Sequence, residues 1–384
     1  MLTNSDVVEL TAFRRDLHRA PDLSRDEGQT AARIVAALAP LAPDQLVTGL
    51  GGHGVLAVYQ GAEPGPTVLF RCELDALPIH EISEAAHRSE IEGKAHLCGH
   101  DGHMVILLGL ARLLSRTPPA KGRVILMFQP AEEDGSGAAA VIADPNFAPF
   151  HPDWAFSLHN MPGCTRGAAW LVDGPVNCAS VGLQLTMTGK TSHAAQPEFG
   201  SSPALAMARL IPALIGMGPG GDLGPDYRLV TITHATLGER SFGVSPAHGE
   251  IWATLRTMTD APMAALKSSA LALAEAEAQA AGLDLAVAFH DDFGACANDP
   301  QATALLGRAL DAHGIAYDAG DLPERASEDF GRFSALPGTK GAMYFLGAGM
   351  GHPALHNPDY DFPDDLIAPG VAVFDHVTRQ LLGA

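Results

Sequence analysis

The sequence predicts a two-domain α/β protein: a mostly parallel sheet covered by helices, interrupted by a smaller α+β insertion of ferredoxin-like pattern. Three observations predict it. The 384 residues exceed one ordinary domain. From the start to about residue 175, apolar β-branched runs alternate with amphipathic stretches, as in a parallel sheet with both faces covered. From about 178 to 290 the order becomes strand, helix, strand, strand, helix, strand, a split β-α-β unit. Helix and strand then resume. The small domain, residues 178–292, is therefore read as an insertion into a discontinuous large domain of residues 1–177 and 293–384.

Helical periodicity falls at about 5–19, 26–39, 102–115, 201–216, 261–281, 300–313 and 365–382. Strand-like runs fall at about 54–60, 67–72, 123–129, 154–159, 180–188, 228–238, 248–257, 284–290 and 342–347. The stretch GPGGDLGP (218–225) reads as a turn inside the insertion.

Composition narrows the function. A net charge of −20 argues against nucleic acid and anionic membranes as partners, since both require a basic surface. It leaves room for an anionic small substrate held by a local arginine. The five cysteines (Cys72, Cys98, Cys164, Cys178 and Cys296) are odd in number and scattered, unlike a disulfide framework. The opening residues read as an amphipathic helix rather than a signal peptide, and no apolar run reaches membrane-spanning length. A reducing cytoplasm is the simplest expected compartment.

Chemistry gathers where strands end. The run VILMF (124–128) leads into Gln129-Pro130-Ala131-Glu132-Glu133-Asp134-Gly135, and ligands of parallel sheets collect at carboxyl ends of strands. In extended backbone Glu132 and Glu133 point opposite ways, one toward a metal and one toward substrate. From this segment alone, a solvated acidic loop is the simpler reading. WAFSL (154–158) ends in His159, and KAHLCGHDGHM (94–104) supplies His96, Cys98, His100, Asp101 and His103 before a helix. Cys98 and His100 share one side if that backbone is extended. His352 and His356 follow another apolar strand. Thiolate, imidazole and carboxylate together suit zinc, manganese, cobalt or nickel rather than calcium or magnesium.

These segments resemble a metal-dependent amidohydrolase/peptidase family. It includes hippurate hydrolases, carboxypeptidases acting on N-acyl amino acids, aminobenzoyl-glutamate hydrolases and plant auxin-conjugate hydrolases. Eight collinear stretches carry the resemblance: FRCELDALPIHE (70–81), HLCGHDGHMVILLG (96–109), FQPAEEDGSGAAAVI (128–142), SLHNMPG (157–163), GKTSHAAQPEFGSSPALA (189–206), ATLRT (253–257), SEDFGRF (327–333) and LHNPDYDFPDD (355–365). The resemblance implies two divalent metal ions held by Cys98, His100, Glu133, His159 and His356, with Glu132 as general base toward a metal-activated water. It implies that Asp75 orients a ligand. His193, from the insertion, would reach toward the scissile carbonyl or the substrate carboxylate, and Arg256 would lie near that carboxylate. The insertion would serve as a lid or as the seat of a homodimer.

The chain departs from the family's pattern at Glu73, where aspartate is usual, at its neighbour Cys72, at Met161, where tryptophan is frequent, and at Gly243-Val244-Ser245-Pro246, where an asparagine is lost. His103 reads as a packed histidine supporting the ligands; His96 and His352 carry no assignment. The remaining cysteines read as inert thiols. The expected activity is hydrolysis of N-acyl amino acids or similar small amides with a free carboxylate. The alternatives are a dipeptidase or aminopeptidase of the same fold, and a non-catalytic metal-binding protein.

Overall fold

The structure, a computed structural model, describes all of residues 1–384. The chain divides into two compact units. The first comprises Met1–Val176, Ala297–Leu322 and Asp329–Ala384; the second comprises Asn177–Cys296 with Pro323–Glu328.

The first unit is built on an eight-stranded sheet in the order Gln45–Leu50, Gly54–Gln60, Lys121–Gln129, Glu63–Glu73, Trp154–Pro162, Lys340–Gly349, Ala169–Trp170 and Tyr317–Asp318. Its four central strands, Lys121–Gln129 to Lys340–Gly349 in that order, run parallel. Antiparallel pairing is confined to the flanks. The central strands are buried along most of their length, which explains why they read as continuous apolar runs rather than as alternation. Phe70 stacks on Phe156 with ring centres 5.7 Å apart and meets Phe374 of the C-terminal helix Ile367–Leu382 at 4.8 Å. Arg71 pairs with Ser157 and Met127, and Glu73 with Gln129, so the strands' carboxyl ends lie at one level. Chemistry placed just beyond Glu73, Gln129 and Leu158 therefore converges.

Besides several very short strands, a longer strand and a short helix escaped the sequence pattern. The strand Gln45–Leu50 is largely solvent-facing and carries no buried stripe. The helix Gly137–Ala143 spans only seven residues, too few to show helical periodicity.

The N-terminal helix Asn4–Arg19 is tied down by a buried charge cluster. Arg14 is fully buried and donates to Asp101 Oδ2 (2.9 Å), Asp361 Oδ1 (2.7 Å) and Asp364 Oδ1 (2.6 Å). His18 Nδ1 lies 2.8 Å from Asp101 Oδ2 and 3.9 Å from Asp361 Oδ1, its Nε2 3.3 Å from Glu81. Arg14, His87 and His96 also face it. Burial alone would depress the His18 pKa, but Asp101 and Glu81 outweigh burial and raise it to about 9. A folded pKa raised from 6.5 contributes stability that is complete below about pH 6.5 and lost as pH rises through 9. The shift corresponds to roughly 3 kcal/mol. The urea midpoint should therefore fall between pH 6.5 and 9, and His18→Gln should flatten that fall. An unchanged slope in the variant would remove His18 as its source.

The second unit is a four-stranded antiparallel sheet in the order Arg228–Leu237, His248–Thr257, Ala179–Thr188 and Asp284–Phe293. The helices Ala204–Met217 and Asp260–Ala281 cover one face, burying Val181, Leu183, Leu185, Ile251 and Leu255. This is the ferredoxin-like arrangement expected from the strand–helix order. No helix of the chain is long and apolar enough to cross a membrane.

Candidate metal centre

The strand Lys121–Gln129 runs into Pro130 and Ala131, and Ala131 has φ +51°, a left-handed value that L side chains rarely adopt. A tight turn follows, closed by Gly135 N–H donating to the Glu132 carbonyl (2.8 Å) and Gly137 N–H to the Ala131 carbonyl (2.9 Å). The turn corrects the expectation of extended backbone here. Glu132 and Glu133 do not diverge; both approach His100 Nε2, at 3.9 and 3.8 Å.

The geometry of Cys98 and His100 also differs from expectation. The intervening Gly99 has φ +91°, and His100 opens the helix His100–Arg116. The two side chains meet because the chain turns left-handed, not because it is extended. A Cβ on residue 99 would overlap Asn160 Oδ1, so the turn demands glycine twice over.

Each histidine is aimed through its second nitrogen. His100 Nδ1–H donates to the Asp75 carbonyl (2.8 Å), which turns Nε2 toward the glutamates. That Nε2 is buried with no hydrogen-bond partner. His159 Nδ1–H donates to the Asn160 carbonyl (2.7 Å), which turns its Nε2 to within 3.4 Å of Cys98 Sγ. His356, half exposed and at φ +65°, donates its backbone N–H to the Leu97 carbonyl (2.8 Å) and sets Nε2 3.5 Å from Glu133 Oε2.

Among the groups of potential ligand atoms that result, each within 4.8 Å internally, three bear on the site: Cys98 with His100 and His159, Cys98 with Glu133 and His356, and His100 with both glutamates. The first two share the Cys98 sulfur. Sulfur, nitrogen and oxygen donors with an orphaned buried imidazole nitrogen fit a pair of borderline divalent ions. The electrostatics agree. Burial would lower the His100 pKa, yet Asp75, Glu73 and Glu133 raise it to about 10. Burial, Glu133 and Glu132 push the Cys98 thiol well up. Burial and His103 lower His159 to about 3, keeping it neutral. The pocket thus concentrates negative potential that a cation would balance.

Asp75 is fully buried. Its Oδ2 accepts from Ser24 Oγ (2.7 Å) and from Glu133 N–H (3.0 Å), so it braces the glutamate turn as well as His100. His103 Nδ1–H donates to Glu73 Oε2 (2.6 Å), and its Nε2 lies 2.7 Å from Asn160 Oδ1, the residue after His159. His96 is buried with no partner at either ring nitrogen, and His352 Nε2–H donates to the Asp361 carbonyl (2.8 Å).

Sequence reasoning missed the polar layer beneath these candidate ligands. Arg71 pairs with Glu73, donates Nε to Gln129 Oε1 (2.8 Å) and meets Asp329 (2.5 Å), while Gln129 Nε2 donates to Asp329. The departure Glu73 is thereby absorbed, with one carboxylate reaching both Arg71 and His103. Arg71 and Gln129 interrupt apolar strands near their carboxyl ends, and a buried polar residue in such a run was the available signal.

His193 and Arg256 belong to the second unit. His193 is exposed on the short strand Ser192–His193, paired with Val244–Ser245 of the altered Gly243–Pro246 element. Its Nδ1 accepts from Ala195 N–H (3.0 Å). Arg256 donates only to the Arg325 carbonyl and Ser327 Oγ, both 2.9 Å, and no carboxylate pairs with it.

An α/β sheet carrying a thiol–imidazole–carboxylate cluster at one end of its parallel strands fits a metal-dependent hydrolase. The chain belongs to Peptidase family M20/M25/M40, whose family model matches residues 69–380. It is 32% identical over 380 residues to an N-acetyl-L-cysteine deacetylase of Bacillus subtilis, covering 97% of this chain and 88% of that one. It is 30% identical to IAA-amino acid hydrolase ILR1-like 5 of Arabidopsis thaliana, covering 97% and 87%. A Bacillus subtilis dinuclear metal binding peptidase from the M20 family has the same fold, with a TM-score of 0.82 at 24% identity over 99% of both chains. The chain is a metal-dependent amidohydrolase of this family.

Proposed function

We propose that the protein hydrolyses the amide bond of N-acyl amino acids and similar small amides with a free carboxylate, using two divalent ions and Glu132 as general base. The observation that carries the site is the pair of ligand triads sharing Cys98, with Glu132 beside them but outside both. Cys98, His100 and His159 would hold one ion, and Cys98, Glu133 and His356 the other. When bound, such ions polarise the amide carbonyl and lower the pKa of water toward neutrality.

The chain's own residues then have separable tasks. Glu132 takes the proton of the attacking water and returns it to the leaving amine. Asp75 holds His100 and the Glu133 backbone in register. His103 and Glu73 fix Asn160, whose carbonyl aims His159. Arg256 is the candidate for the substrate carboxylate, since burial lowers its pKa and no acidic side chain neutralises it. The relatives named as an N-acetyl-L-cysteine deacetylase and an IAA-amino acid hydrolase support an N-acyl amino acid as substrate.

Metal-supplemented protein should cleave N-acetyl amino acids or hippurate faster than dipeptides bearing a free amine, and faster than the same N-acyl compounds amidated at the carboxylate. Preference for dipeptides would replace this reading with the peptidase one. Indifference to the carboxylate would remove Arg256 from recognition.

A further inference from the structure

We propose that Glu27 is a positioning residue for the general base, holding the Glu132 turn through the backbone N–H of Ala131. The inference rests on the reading of Glu132 as that base.

Glu27 is the N-cap residue of the helix Gly28–Leu38, yet its side chain makes no cap hydrogen bond. Capping its own helix would stabilise that helix. Instead the carboxylate is fully buried, and burial raises its pKa. Oε1 accepts from Ala131 N–H and from Arg25 N–H, both 2.8 Å, while Oε2 is buried with no partner. Both donor residues have left-handed backbone, Ala131 at φ +51° and Arg25 at φ +68°. One oxygen therefore pins two conformations that are strained for a residue with a Cβ. A buried carboxylate with a bare oxygen, spent on a strained corner, is unfavourable for stability. It makes sense where the corner must not move.

The rest of the segment touches the same turn. Ser24 Oγ–H donates to Asp75 Oδ2, which also accepts Glu133 N–H, and Arg25 Nε lies 2.8 Å from Asp134 Oδ2. The clamps fall on Ala131, Glu133 and Asp134, the residues that flank Glu132 in the turn. They also divide the labour. The Ser24–Asp75 clamp steadies Glu133 and His100, hence the metal; the Glu27 clamp steadies the residue before Glu132, hence the base.

Two conservative variants separate acceptor position from charge. Glu27→Gln keeps an oxygen at the same reach, whereas Glu27→Asp keeps the charge but withdraws it by one methylene. We expect Glu27→Gln to stay within about threefold of the parent kcat. Glu27→Asp should lose about 10- to 100-fold in kcat, the usual size of a supporting-residue effect, with KM, bound metal and thermal midpoint near the parent's. Placed on Glu132→Gln, Glu27→Asp should cost nothing further. Equal damage from Gln and Asp, loss of metal together with kcat, or an additive double variant would each overturn the role. Glu132→Gln alone tells the two readings apart: full turnover there defeats the base assignment, whereas an inactive Glu132→Gln beside an unimpaired Glu27→Asp defeats only the positioning role.

Discussion

Replacing Glu132 with glutamine should lower kcat by roughly a hundred- to ten-thousand-fold, the usual contribution of a positioned general base, while leaving two ions per chain and KM close to the parent's. The substitution keeps the shape of the side chain and one acceptor oxygen, and removes only the ability to take a proton. Glu132 is buried to 6% exposure and stands 3.9 Å from His100 Nε2, yet it lies outside both triads that share Cys98. A group in that position can lose its charge without breaking a ligand set. Elemental analysis and steady-state kinetics on the same preparation check both halves. Parent-like turnover would show that the proton goes elsewhere. Loss of metal with turnover would make Glu132 a ligand, and the third grouping, His100 with Glu132 and Glu133, would then describe the centre better.

The contrast between what the sequence disclosed and what it hid has a physical cause. The central strands were legible because burial on both faces forces continuous apolar runs. The candidate site was legible because titratable residues at the ends of such runs are costly unless they are used. Their mutual geometry was not legible. Nothing in the identity of Ala131 or His356 announces a left-handed backbone, yet both hold it and both aim site residues. Gly99 could have been suspected, since glycine between two candidate ligands permits a turn that extended backbone does not. Glu27 and Ser24 were invisible for another reason. Their partners lie 104 and 51 positions away, and no local pattern encodes a pairing that the sheet topology creates.

The second large effect is expected at Cys98. Cys98→Ala should strip both ions, because the sulfur is common to the His100–His159 and Glu133–His356 groupings. His159→Ala removes a donor from only one of them and should leave about one ion per chain. Metal charge stabilisation supplies several kcal/mol of the barrier reduction, and each 1.36 kcal/mol is tenfold in rate. The cysteine variant should therefore fall on the order of a thousandfold or more, further than the histidine variant. The thiol adds a pH signature. Burial and then the two glutamates hold its pKa well above the ordinary thiol value, so the thiolate forms only as a cation arrives and a proton must leave. Apparent metal affinity of the parent should rise with pH, and the binding enthalpy should depend on the ionisation enthalpy of the buffer. In Cys98→Ala that dependence should shrink along with the stoichiometry. A Cys98→Ala protein that still carried two ions would break the shared-sulfur geometry, and one that released as many protons on binding as the parent would assign them to the histidines instead.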